Sequence, residues 1–108
     1  MTESLQVQLK KGVLELCVLA LLAQRDSYAY ELASRLAQTV GMGEGTIYPL
    51  MRRLQADGLV TTYLVESASG PSRKYYQLTA AGRDAYASQK SEWQDFVTSI
   101  SKALGEAQ

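Results

Sequence analysis

A chain of 108 residues with 46% hydrophobic and 20% charged side chains has the size and make-up of one globular domain around one core. Its 11 basic and 11 acidic residues cancel, it has a single cysteine, and it has no histidine. That excludes an intrachain disulfide framework, zinc sites built on histidine and catalytic devices that need an imidazole.

No apolar run approaches the roughly 20 residues that span a bilayer. The stretch 12–23 is apolar enough to resemble a signal-peptide core, but Glu15 interrupts it and no small-residue cleavage site follows. It reads as a buried helix of a cytoplasmic protein with no membrane partner. The first predicted helix runs from about Leu9 to Gln24, with Leu9, Val13, Leu16, Cys17 and Ala20 at helical spacing. Leu14, Val18, Leu21 and Leu22 add a second apolar face. Such a helix needs cover from more than one side, and in so short a chain a second copy is the natural cover. Cys17 reads as a small core residue.

Asp26 or Ser27 can cap the second helix, whose inward stripe is Leu32, Ala33, Leu36, Ala37 and Val40. Gly41-Met42-Gly43 ends it and turns the chain. The third helix is expected from about Glu44 to Asp57, with Ile47, Leu50, Met51 and Leu54 facing inward. Gly58 stands where a left-handed cap belongs. Pro49 would cost about 3 kcal/mol inside a helix and less in its first turn. It implies a rigid first turn or a boundary a few residues away.

A hairpin follows: Leu59 to Val65 is rich in strand formers, Ser67 to Ser72 has loop composition, and Arg73 to Leu78 returns. Thr79 can cap a last helix reaching about Leu104, with Trp93, Phe96, Val97, Ile100 and Leu104 at 3-4 spacing. The order is that of a mainly α winged helix-turn-helix with a small β-hairpin. Residues 1–78 form the winged unit and 79–108 an appended C-terminal dimerisation helix. Leu9 and Val13 of the first helix join Trp93, Phe96, Val97, Ile100 and Leu104 as the expected dimer contacts.

The charge is polarised although it sums to zero. Residues 32–83 carry Arg35, Arg52, Arg53, Arg73, Lys74 and Arg83 against Glu44, Asp57 and Glu66, a net of +3, while the flanks are acidic. In a helix-turn-helix the second helix lays its outer face in the major groove. The residues left outside or on the flanks here are Gly45, Thr46, Tyr48, Pro49, Arg52 and Arg53. Arg52 and Arg53 suit base edges or phosphates, and Tyr48 can give its hydroxyl to a phosphate. Arg73 and Lys74, at the base of the wing, are placed for the flanking backbone. Trp93 has two readings: a dimer contact, or a surface on which a planar effector stacks between subunits. The acids are scattered and no catalytic motif is present, so neither an enzyme nor a cofactor or metal site is expected.

Gly45-Thr46-Ile47-Tyr48-Pro49-Leu50-Met51-Arg52-Arg53-Leu54 with Asp57-Gly58-Leu59-Val60 resembles the recognition helix and wing start of the PadR family. Arg73-Lys74-Tyr75-Tyr76-Gln77-Leu78-Thr79, then Gly82, is similar to that family's second wing strand and last-helix start, and Ser27 to Leu32 to its second-helix opening. The resemblance covers roughly residues 9–83 and implies a repressor that binds a pseudo-palindromic operator as a homodimer. It assigns Tyr48, Arg52 and Arg53 to the groove and Arg73 and Lys74 to phosphates. The single terminal helix is similar to a compact subgroup, in which a tryptophan on that helix stacks aromatic ligands; Trp93 falls at the matching distance. That implies a small hydrophobic or aromatic effector. Gly43 departs from the Ser or Asn that relatives often place before the recognition helix, which weakens the expected cap by a few tenths of a kcal/mol. The alternative of another class is a winged-helix protein-interaction module without DNA binding, which would have no need of the clustered arginines.

Overall fold

A computed structural model describes residues 3–42 and 44–106 of the chain. Ser4 opens helix α1 (Leu5–Gln24), its Oγ accepting from the Val7 N–H at 3.2 Å, so the helix starts a turn earlier than its apolar spacing suggests. Its two ends meet different surroundings. Val18, Leu19, Leu21 and Leu22 are buried, whereas Leu5, Val7 and Leu9 are 70%, 41% and 41% exposed. Cys17 is half-buried and burial pushes its thiol pKa up, which keeps it protonated and suits the packing role expected of it.

After α1 the chain forms a two-residue strand, β1 (Ser27–Tyr28), before helix α2 (Ala29–Val40). Neither Asp26 nor Ser27 caps α2; its N-cap is Tyr28, with no side-chain bond. Ser27 is fully buried and accepts from Arg35 Nη1 at 3.0 Å, while Asp26 accepts from the Tyr63 hydroxyl at 2.6 Å. Leu32, Ala33 and Leu36 are buried as expected. Ala37 is exposed and Val40 half-buried, because the last turn of α2 runs past the edge of the core. Gly43, where a weak cap was expected, lies outside the described residues.

A 3-10 turn (Glu44–Thr46) leads into helix α3 (Ile47–Ala56). The α-helix therefore starts three residues later than expected, and Pro49 is its third residue, where a missing N–H has no intrahelical acceptor to lose. Ile47, Leu50, Met51 and Leu54 are all buried. Past its end, the Leu59 N–H donates to the Leu54 carbonyl at 2.9 Å and the Gly58 N–H to Gln55 at 3.1 Å. That pairing needs the left-handed residue that Gly58 supplies at φ 76°.

Strands β2 (Val60–Ser67) and β3 (Gly70–Leu78) make a longer hairpin than composition suggests. The expected loop from Ser67 to Ser72 contracts to a turn at Ala68-Ser69, with an irregular register between Val65 and Ser67. β1 pairs on the other edge of β3, Ser27 opposite Tyr76 and Tyr28 opposite Tyr75, so the sheet has three strands in the order β1-β3-β2. Thr79 caps α4 (Ala80–Ala103) by accepting from the Gly82 N–H at 3.0 Å.

The core joins Val18, Leu19 and Leu22 of α1 to Leu32 and Leu36 of α2, the inward face of α3, and Tyr76 and Leu78 of the sheet. The far half of α4 lies outside it, with residues 91–100 all exposed. The Cα radius of gyration is 16.0 Å and the longest dimension 56 Å, against a radius of about 13 Å for a compact chain of this length. The excess is the projecting pair formed by the start of α1 and the end of α4. The architecture is a winged helix-turn-helix carrying an extra terminal helix, with a three-stranded sheet in place of a bare hairpin.

Candidate nucleic-acid interface

Burying four residues of α3 leaves its other face to solvent. Gly45 and Thr46 are exposed on the 3-10 turn, Pro49 on the first turn of α3, and Tyr48 beside it is 43% exposed. Arg52 is exposed and makes no ion pair among the described residues. Arg53 differs from the free exposed charge expected of it. Its Nη2 donates to Glu15 Oε1 at 2.6 Å and its Nη1 lies 3.6 Å from Asp57 Oδ2. The guanidinium is half-exposed but drawn back along α1. The same Glu15 carboxylate accepts from Gln89 of α4 at 2.6 Å. Burial raises the Glu15 pKa, yet hydrogen bonds from Arg53 and Gln89 and the charge of Arg53 outweigh it, so the group sits below its ordinary value of 4.5.

On the wing, Arg73 and Lys74 are both exposed but leave β3 on opposite faces, as successive strand residues must. The Arg73 guanidinium lies 4.6 Å from the centre of the Tyr28 ring, and Lys74 Nζ 5.5 Å from that of Tyr76. Tyr28 meets Tyr75 edge to face at 5.4 Å, and Tyr75 stacks on Tyr63 at 5.8 Å. This aromatic face packs under Arg73 and was not legible in sequence, because β1 brings Tyr28 to it through pairing with β3. Tyr63 donates to Asp26, a bond that pushes its pKa up to about 12.

Arg35 does not share in the basic surface. Its Nη1 donates to the Leu21 carbonyl at 3.2 Å and to Ser27 Oγ, and its Nη2 to Gln24 Oε1 at 2.9 Å, tying α2 to the end of α1. Two other cations lie near the turn before α3, although Lys11 is paired with Glu3 at 2.6 Å. Lys10 Nζ reaches the Gly41 carbonyl at 3.4 Å, and Lys10 and Lys11 line a cleft of about 260 Å³ with Thr46. Sequence reasoning assigned both lysines to the acidic flank. Their approach to the turn before α3 depends on how α1 crosses α2, which periodicity does not encode.

The expected contact residues Trp93, Phe96, Val97, Ile100 and Leu104 are 38%, 50%, 41%, 42% and 67% exposed, and Leu9 faces them across a groove of about 300 Å³. Val13 is half-buried and lines, with Leu16, Gln89 and Trp93, a wider cleft of about 570 Å³ between α1 and α4. Trp93 therefore borders both hollows, 6.4 Å from the ring of Phe96. Among the described residues no group of His, Cys, Asp or Glu could hold a metal ion, and no helix is long and apolar enough to cross a membrane.

Comparison with known proteins adds relatives to this geometry. Residues 18–88 match the model of the transcriptional regulator PadR-like family. A PadR-like transcriptional regulator from Bacillus cereus is similar over 93% of this chain and 99% of its own, at 36% identity and a TM-score of 0.82. A Streptococcus transcriptional regulator is 33% identical over 90% of this chain and 97% of its own, with a TM-score of 0.80. Bacillus subtilis PadR, solved in complex with operator DNA, is 25% identical over 71% of this chain and 45% of its own, at a TM-score of 0.64. The chain belongs to the PadR-like family of transcriptional regulators.

Proposed function

We propose that this regulator is a repressor that binds a pseudo-palindromic operator as a homodimer and responds to a small hydrophobic or aromatic effector. The observation that carries it is the division of the surface. One side offers Gly45, Thr46, Tyr48, Pro49 and Arg52 on and before α3, with Arg73 and Lys74 on the wing. The other offers an apolar face of α1 and α4 that one chain leaves open. In the proposed complex α3 enters the major groove, Arg52 reads base edges, Tyr48 donates to a phosphate, and Arg73 and Lys74 hold the flanking backbone. Arg53 joins them only when it leaves Glu15. Related Bacillus subtilis PadR, bound to operator DNA, supports duplex DNA as the partner.

If each subunit neutralises about four phosphates, the dimer neutralises about eight, and log affinity should fall with log salt at a slope near −7. Fluorescence anisotropy against the promoter of its own operon, over a series of salt concentrations, measures this. A flat response, or equal affinity for unrelated DNA, would overturn the proposal. Arg52→Ala should reduce preference for the operator by about tenfold or more, the equivalent of about 1–3 kcal/mol at one base pair. Lys74→Ala should instead weaken all sequences alike and lower the slope by about 2 per dimer.

In this reading the effector stacks on Trp93; the support is that this residue borders two hollows between the helices. Planar aromatic compounds should quench Trp93 fluorescence in a saturable way and change operator affinity. A Trp93→Ala variant whose operator binding still responds to them would remove Trp93 from that role.

A further inference from the structure

We propose that Glu15 is a positioning residue through which α4 sets the charge that α3 presents to DNA; the inference rests on the operator-binding function above. Among the described residues, Glu15 is the one side chain on a helix that bonds to side chains of two other helices. Its Oε1 takes Arg53 of α3 and its Oε2 takes Gln89 of α4, each at 2.6 Å, across 38 and 74 residues of sequence. The Glu15 side chain is about a quarter exposed, and each carboxylate oxygen is held by a different helix. While both bonds hold, Arg53 faces two carboxylates, Glu15 and Asp57, which balance its charge although the guanidinium stays half-exposed. Among the described residues Arg52 is then the free cation of α3.

Gln89 also lines the wide cleft between α1 and α4, beside Val13, Leu16 and Trp93. A shift of α4, whether by an occupant of that cleft or by the proposed partner subunit, moves the amide that holds Oε2. Glu15 then loses the donor that fixes its orientation and swings toward solvent. Arg53 keeps only the longer contact to Asp57 and extends from α3, adding one cation per subunit to the DNA-facing side. The path has three named groups and two states, with Arg53 either docked on α1 or extended.

Salt-dependent anisotropy of the full chain on a duplex of about 25 base pairs tests this. Glu15→Gln should raise affinity about 5–10-fold at low salt and steepen the slope by up to about 2 per dimer, from about 0.9 per phosphate. Gln89→Ala should act in the same direction and less strongly. In an Arg53→Gln background, Glu15→Gln should change neither quantity, because the gain passes through Arg53. Thermal melts of each variant identify any that fail to fold. An equal gain without Arg53 would show a general charge effect and overturn the proposal, as would an unchanged slope in Glu15→Gln. A second readout needs no DNA: the NMR signal of the Arg53 Nε–H group should move in Gln89→Ala toward its position in Glu15→Gln. An unmoved signal overturns the link between α4 and α3 by itself. A wild-type chain that ignores duplex DNA would overturn the operator function, and the Arg53 signal would still decide whether α4 acts on α3.

Discussion

Gly82→Ala is expected to lower the melting temperature by about 10–20 °C, the equivalent of about 3 kcal/mol in a chain of this size. Helix propensity argues the other way, because alanine in place of glycine inside a helix stabilises by about 1 kcal/mol. Position decides the sign. A Cβ at Gly82 would lie 2.0 Å from the Leu59 carbonyl oxygen and 3.1 Å from Leu78 Cδ2. The clash is with backbone, which cannot rotate away as a flexible side chain can. That carbonyl also accepts from the Thr79 N–H at 3.1 Å, and Thr79 Oγ1 donates to the Gly58 carbonyl at 2.7 Å. Moving α4 to relieve the contact therefore strains the bonds that seat the helix on the start of the wing, each worth about 1 kcal/mol. Gly12→Ala is the control, since a Cβ at that point of α1 would meet nothing within 4 Å. Thermal unfolding should show Gly12→Ala unchanged or slightly raised and Gly82→Ala strongly lowered. A rise in both would mean that propensity outweighs packing and that α4 is seated more loosely than these contacts require.

The same residues show what the sequence discloses and what it hides. The inward face of α3 was legible down to each of Ile47, Leu50, Met51 and Leu54, because a burial stripe at 3.6-residue spacing is a local pattern. The Thr79 cap and the left-handed Gly58 were legible for the same reason: each is satisfied by neighbours a few residues away. What failed was long-range. Strand β1 is two residues long and carries no alternation of its own, so only its pairing with β3 makes it a strand. Ser27 looks like a helix cap from its neighbours, yet Arg35 claims its hydroxyl. Arg52 and Arg53 are indistinguishable as text. They differ because Glu15, 38 residues away, lies within reach of one of them. A one-dimensional pattern tells which side of a helix is polar, but the partner across from each charge is a property of how the helices cross.

Phe96→Glu is expected to separate the proposed dimer into monomers and to weaken operator binding by about 10²–10⁴-fold, the gain that joining two half-site readers confers. The side chain is half-exposed in the single chain, on the open groove that α4 forms with the start of α1 and beyond the core, so a carboxylate there costs the isolated fold little. Against a second apolar face the same carboxylate would be buried without a partner, which costs several kcal/mol. The core of α2, α3, the sheet and the end of α1 closes without any residue from 91 to 100, and so the variant should keep its helical circular dichroism. Light scattering at micromolar concentration should give twice the chain mass for the wild type and one for the variant. The salt slope should halve to about −3.5, because a monomer meets only one set of phosphates. Wild-type melting temperature should also climb with protein concentration, as mass action requires when folding and association are linked, and the variant's should not. A wild-type chain that scatters as a monomer and melts independently of concentration would refute the dimer. The apolar face of α1 and α4 would then need a different partner, and two half-sites could not be read together.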